Sequence, residues 1–320
     1  MAIFNFPNSR EDFIRLGKEA LEQGEQQKGL KLFHEAYEME ADFSLNLLIV
    51  HLMMETGDHQ QALRLAQDYL SDYLKERQYF DLFFQLLLLN QQFLKAHEYL
   101  AQFEGHQDQT WLDLLHQQLT QLEDYLSQLE QQKLADLRRT LSTINQLTMQ
   151  QQAGFIETLI ATPLNFFLEM AASILTDVQI NYFSRLKVLE ELIKLKRKES
   201  FTFRWFNEKE QQVIPSQLGL VENSTELAKI ELFLTQQLEH QQPDLLQALL
   251  EEVRLHLTIL FPFETETITA LGGVQLFAES YLVEYSEGYS EQLEESVEFN
   301  RIQELKQNLR QFIWQLMERS

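Results

Sequence analysis

Two glutamate–histidine pairs, Glu55/His59 and Glu252/His256, stand four residues apart. On a helix that spacing brings a carboxylate and an imidazole onto one face. Carboxylate-bridged metal bundles are built from similar pieces, but they use Glu-x-x-His, a spacing these pairs lack. Zinc hydrolase chemistry of the H-E-x-x-H type is not encoded either, because His34-Glu35 runs into Ala36-Tyr37-Glu38. With no cysteine, thiolate catalysis, cysteine metal sites and disulfides are excluded. Gly272-Gly273 lacks the strand, loop and further glycines of a phosphate cradle. No G-x-S-x-G elbow occurs, and the many carboxylates of an acidic helical chain do not specify a glycosidase. The residues specify no catalytic set, no metal and no cofactor, so the expectation is a protein that is not an enzyme.

The chain that must position these side chains has 320 residues, 44% of them hydrophobic, enough to pack a core. Glycine (10) and proline (5) are scarce, which together with abundant Leu, Gln and Glu favours long helices. Against 26 Lys and Arg stand 49 Asp and Glu, a formal net charge of −23. Such a surface repels phosphate backbones, so nucleic acid is not an expected partner. The one dense basic run, Lys194, Lys196, Arg197 and Lys198, reads as the charged last turn of a helix. The most apolar stretch, Leu82 to Leu89, is too short to span a bilayer, so no membrane role is expected. Residues 1–10 lack the basic start and apolar run of a secretory signal, and the expected location is cytoplasmic.

A small residue returns at a nearly fixed interval: Gly29, Ala62 and Ala96 lie 33 and 34 residues apart. A period near 34 points to stacked helical hairpins, each burying its apolar face against the next. Residues 10 to about 105 divide into three such units. Phe13, Leu16, Gly17 and Ala20 share a face of the first helix; Gly24 turns the chain; Leu30, Phe33, Ala36 and Tyr37 face inward from the second. Leu45, Leu48, Ile49, Leu52 and Met53, a turn at Gly57-Asp58, then Ala62, Leu65, Ala66, Tyr69 and Leu70 form the next unit. Leu82, Phe83, Leu86 and Leu87, a turn near Asn90-Gln91, then Leu94, Ala96, Leu100 and Phe103 form the third.

This pattern resembles the tetratricopeptide repeat (TPR), on the turn glycines Gly24 and Gly57, the small residues Gly29, Ala62 and Ala96, the following Phe33 and Ala66, and the pair Leu16-Gly17. The proline that closes the family's repeat is replaced by Ala41, Leu74 and Asp108. The resemblance implies a protein or peptide partner held in a groove lined by the first helix of each unit. Carried over, the groove positions are Glu11, Ile14, Lys18 and Leu21; Ser44, Leu47, His51 and Met54; Asp81, Gln85 and Leu88. One subset of the family clamps a terminal carboxylate, but the corresponding Ile14, Lys18, Leu48, Gln78 and Leu82 include a single cation. A mixed apolar and polar lining suits an amphipathic helix or an extended segment. A second reading packs the same residues against a later part of the chain.

The expected fold is all-α: a TPR-like solenoid over residues 1–108, a helical continuation over 109–199, and a C-terminal helical domain over 200–320 with a small β-hairpin near 200–215. Leu112, Leu115, Leu119, Leu122, Leu126 and Leu129 form a heptad-like seam whose phase slips at Gln131-Gln132-Lys133, marking a stutter or a turn. Its shortness favours packing on neighbouring helices over a dedicated coiled coil, though self-association stays open. Gly154 and Thr162-Pro163 punctuate the next segment, and a helix opens at Leu164. Phe201, Phe203 and Trp205 alternate as a strand, with Gln212-Val213-Ile214 returning. Helices follow from Ser224, from Pro243, over Thr267 to Glu284 and from about Glu291. Leu255-His256-Leu257 through Phe261-Pro262-Phe263-Glu264 is similar to the ends of some uncharacterised bacterial TPR proteins. The functional expectation is a non-enzymatic adaptor or chaperone-like protein. The alternatives are a peptide-sensing regulator, for which about ten residues before the first repeat leave no room for a DNA-binding domain, and a metal-dependent enzyme.

Overall fold

The same loop is built three times. In α1 (Arg10–Glu22) the last carbonyls are closed when Gly24 N–H donates to Leu21 O (2.9 Å) and Glu25 N–H to Ala20 O (2.9 Å). After α3 (Phe43–Glu55), Gly57 donates to Met54 O (3.2 Å) and Asp58 to Met53 O (2.9 Å). After α6 (Arg77–Leu89), Gln91 donates to Leu88 O (3.0 Å) and Gln92 to Leu87 O (2.9 Å). This paired bonding satisfies the orphan carbonyls of a helix end and needs a left-handed residue at its centre. Gly24 (φ 77°) and Gly57 (φ 85°) supply it without a Cβ clash, whereas the third unit uses Gln91 (φ 54°). The chain re-enters helices as α2 (Gln26–Met39), α4 (His59–Gln67) and α7 (Phe93–Phe103). At their starts, Ser9 and Asp42 cap α1 and α3 through side-chain oxygens that accept from Asp12 N–H (3.2 Å) and Leu45 N–H (2.8 Å).

The small residues act as their spacing predicts. A Cβ on Gly29 would sit 2.8 Å from Leu21 Cδ2 and 3.1 Å from the Gly17 carbonyl, so α1 and α2 touch backbone to backbone there. Ala62 and Ala96 are fully buried in the equivalent positions. Around them Phe33, Ile49, Phe80, Phe83, Phe84 and Leu87 form one apolar core, each worth roughly 1.5–3 kcal/mol on full burial. A buried amide ties the first two hairpins: Asn46 Nδ2 donates to Leu65 O (2.8 Å) and Tyr37 Oη (3.2 Å), and Tyr73 Oη donates to Asn46 Oδ1 (2.9 Å). The second unit departs from the expected single helix: after α4 the chain kinks, and a four-residue α5 (Leu70–Tyr73) brings Tyr73 inward against Phe43 (5.1 Å, edge-on).

The computed structural model describes residues 9–103, 108–240, 242–284 and 296–318. Among them are seventeen α-helices and one two-stranded antiparallel sheet, an all-α fold with a small hairpin. By contact the chain separates into two units, one reaching Leu129 and taking in Ala161–Pro163, the other comprising Glu130–Ile160 and residues from Leu164 on. The first unit ends with α8 (Gln109–Leu129), whose seam residues Leu112, Leu115 and Leu119 are buried in its core while Leu129 is exposed. The seam therefore packs within the solenoid, and its phase slip is a turn at Glu130 before α9.

The second unit holds α9 (Gln131–Ser142), α10 (Met149–Ile160), α11 (Leu164–Ile174) and α12 (Tyr182–Lys194). Gly154 lies inside α10 and breaks nothing. The basic run is a helix end: Lys194 closes α12 and pairs with Glu191 (2.8 Å), and Lys196 takes the left-handed position (φ 49°). β1 (Phe201–Arg204) pairs with β2 (Glu210–Val213) in the register Phe201↔Val213 and Arg204↔Glu210. A lone hairpin is marginal, and this one is pinned by its aromatic face. Phe203 is fully buried, and Trp205 Nε1 donates to Leu260 O (3.1 Å). α13 (Thr225–Leu238) starts at the Ser224 cap, and α14 (Pro243–Leu260) follows. The single helix expected over Thr267 to Glu284 is two, α15 (Glu264–Ala270) and α16 (Val274–Val283), because Gly272 (φ 100°) and Gly273 (φ 94°) are left-handed in succession. The last helix, α17, runs Val297–Glu318; its expected start near Glu291 lies outside the described residues.

Candidate functional site

The first helices of the three hairpins carry the eleven anticipated groove residues. Glu11, Lys18, Ser44, His51 and Gln85 are exposed; Ile14, Leu21, Leu47, Met54, Asp81 and Leu88 are half-buried. Three of them, Ser44, Leu47 and His51, come together on α3 around a cavity of about 450 Å³. The rest of its lining is Leu48 from α3 and Gln78, Tyr79 and Leu82 from α6. The α3 residues 44, 47, 48 and 51 follow the spacing of one helix face, as do 78, 79 and 82 on α6. Leu47, Leu48, Tyr79 and Leu82 form an apolar floor continuous with the core, while exposed Ser44, His51 and Gln78 supply hydrogen-bonding groups. Among the described residues no lysine or arginine lines this cavity, which carries no group to neutralise a carboxylate there.

The other groove positions do not line it. Leu21 fills the space against Gly29. Asp81 accepts from Trp111 Nε1 (2.7 Å), so this carboxylate anchors α8. Tyr79 is the lining residue that sequence reasoning missed. Its signal was its place three residues before Leu82, in the first turn of α6, which begins earlier than the apolar run suggests.

The two glutamate–histidine pairs fare differently. Glu55 ends α3 and His59 begins α4 beyond the Gly57 turn, so they share no helix face; Glu55 instead approaches His51 Nε2 (3.5 Å). Glu252 and His256 do share a face of α14, with Oε1 and Nε2 3.8 Å apart. His256 is fully buried, and its Nδ1 lies 2.8 Å from the Tyr281 hydroxyl. Beside it Lys306, also fully buried, meets Glu284 Oε1 (2.6 Å), donates to Ser280 O (3.1 Å) and sits 3.8 Å from the centre of the Tyr281 ring. Arg310 Nη2 reaches both Glu252 Oε1 (2.6 Å) and Glu284 Oε2 (2.5 Å).

Burial, reinforced by the Lys306 and Arg310 cations, pushes the His256 imidazole down to about 3, so it is neutral at physiological pH. Burial lowers the Lys306 ammonium too, against the pull of Glu284. Burial alone would raise Glu284, but hydrogen bonds from Lys306 and Arg310 outweigh it and hold the carboxyl below its ordinary value. The carboxylates of this cluster are engaged by two cations, an arrangement that locks α14, α16 and α17. Among the described residues no three His, Asp or Glu side chains converge as metal ligands, and no helix is long and apolar enough to cross a membrane. Compared with family models, curated proteins and solved structures, the chain finds no match.

Proposed function

We propose that this chain is a non-enzymatic adaptor or chaperone-like protein whose N-terminal hairpins are tetratricopeptide repeats that hold a segment of another protein. The observation that carries this reading is the cavity between α3 and α6, with an apolar floor and exposed Ser44, His51 and Gln78 around it. Recognition of this form takes an apolar anchor from an amphipathic helix or extended strand and orients it by a few polar contacts. The formal charge of −23 favours a segment whose anchor is flanked by Lys or Arg. Gln85, exposed on α6, and Lys18, exposed on α1, extend the contact beyond the cavity. A cytoplasmic location fits the absence of cysteine.

The test is selection of a random displayed-peptide library on the full chain. Enriched peptides are expected to share a large apolar anchor with basic flanks. Their affinity should fall at least about tenfold, or about 1.4 kcal/mol, in Ser44→Trp, which fills the mouth from an exposed position. Equal binding by Ser44→Trp, or enriched peptides with no common anchor, would remove the cavity from the function.

A further inference from the structure

We propose that the second unit contains a binding site for a small monocarboxylate, centred on Arg185 at the start of α12. Arg185 is 2% exposed, yet its Nε and Nη1 are buried with no hydrogen-bond partner among the described residues. A buried guanidinium left unpaired is costly, and proteins retain such groups where something charged completes them. The side chain lies over the Tyr182 ring (5.5 Å) and borders a cavity of about 100 Å³. A single water needs only about 10–15 Å³ of such space, so the cavity takes a molecule of several heavy atoms.

Two side-chain acceptors of the cavity lining are engaged with the backbone. Gln152 Oε1 accepts from Asn181 N–H (2.7 Å), and its Nε2 donates to the Ile144 (3.2 Å) and Gln179 (3.2 Å) carbonyls. Asn181 Oδ1 caps α12 by accepting from Phe183 N–H (2.9 Å). Glu208 also lines the cavity, but it is largely exposed, and its carboxylate is 4.0 Å from Arg204 Nη1. The site therefore presents one unpaired positive charge together with the positive end of a 13-residue helix. Burial lowers the Arg185 guanidinium and Arg204 lowers it further, and the opposing pull of Glu208, Tyr182 and Asp177 does not restore it.

The charge count selects the ligand. One guanidinium balances one negative charge, and Glu208 in the lining repels a second, which disfavours phosphate or sulfate. Leu147, Val178, Phe312 and Leu316 form apolar walls that accept a short aliphatic tail. An acid the size of propionate satisfies both demands.

The experiment titrates sodium propionate, phosphate and chloride into the full chain at constant ionic strength, following heat of binding and the Arg185 Nε–Hε resonance. Propionate is expected to saturate one site and shift that resonance, with chloride silent and phosphate weaker. Arg185→Gln, and Val178→Trp at the exposed rim, should each weaken propionate about tenfold or more, and Glu208→Gln should tighten it. The wild-type resonance keeps the test decisive even where a variant fails to fold. No saturable propionate shift, meaning a pocket that holds water only, would overturn the assignment. So would equal affinity in Arg185→Gln and Val178→Trp, or phosphate binding more tightly than propionate.

Discussion

Lys306→Met removes a charge from the centre of the α14–α16–α17 cluster while keeping most of the side-chain volume. The wild-type ammonium is fully buried, 2.6 Å from Glu284 Oε1 and 3.1 Å from the Ser280 carbonyl. Removing one partner of a buried ion pair costs about 3–5 kcal/mol when the other charge is abandoned. Glu284 is not abandoned here, because Arg310 Nη2 stays at Oε2 and the carboxylate side chain is 20% exposed. Lys306→Met should therefore cost about 2 kcal/mol, part of it from the Ser280 carbonyl, which keeps only the long contact from Gln303 Nε2 (3.4 Å). Glu284→Gln strands the fully buried ammonium, with no other carboxylate within ion-pair distance of Nζ among the described residues, and should cost more, about 3–4 kcal/mol. The double variant should fall short of the sum by about 1–2 kcal/mol, the signature of a direct pair. The assay is urea unfolding read from Trp205 and Trp314, both in the same unit, in a Trp111→Phe background that silences the tryptophan of the first unit. A loss of about 2 kcal/mol lowers the midpoint by about 1 M for an m-value near 2 kcal/mol/M. Strict additivity, or a Lys306→Met protein as stable as wild type, would refute the claim that this pair holds the three helices.

His256 makes the same unit sensitive to acid. Its folded value of about 3 lies below the ordinary 6.5, so between those values the unfolded chain binds more protons and stability falls as pH drops; the full contribution is present above 6.5. The ceiling is on the order of 4–5 kcal/mol, with a slope near 1 kcal/mol per pH unit between pH 6 and 5, where Glu284 does not yet titrate. Midpoints measured across that interval should flatten in His256→Gln, and an unchanged slope would assign the acid sensitivity to other groups. In the first unit, Gln91→Gly should stabilise by about 0.5–1 kcal/mol by relieving the left-handed position that Gly24 and Gly57 fill in the other hairpins. Gly57→Ala should destabilise by a similar amount, and thermal unfolding of both variants checks the pair, since opposite signs are required.

What the sequence made legible follows from the range of the forces involved. Gly24, Gly57 and Gly29 were readable because a left-handed turn disfavours a Cβ and a close helix contact leaves no room for one, constraints written in one residue. The face of α3 was reached through the resemblance to the repeat family, and helical spacing brings its Ser44, Leu47 and His51 to one side. Gln91 in the same turn was read as a turn residue, but its strained φ shows only against the two glycines one and two periods earlier. The resemblance makes Asp81 a groove residue beside Gln85, but its carboxylate is engaged by Trp111, thirty residues away on α8. Gly272-Gly273 was placed inside one helix, since a single glycine is tolerated there and only the coupled positive φ values end it.

The polar interior was the least legible part, and the reason is physical. Lys306 sits in α17 between Leu305 and Gln307 with nothing local to set it apart from a solvated lysine. Its burial is imposed by Glu284 at the end of α16 and by the backbone carbonyl of Ser280, groups 22 and 26 residues away. Arg185 is the sharper case: its neighbours in sequence, Ser184 and Leu186, are both buried, which a helix packed on all sides demands and an ordinary surface arginine does not. A charged residue flanked by buried positions along α12 has to be paired or completed from outside the chain. Lys306 meets the first condition through Glu284; Arg185 has two buried donors unmatched among the described residues, and that contrast between two buried cations in one unit points to a ligand at α12.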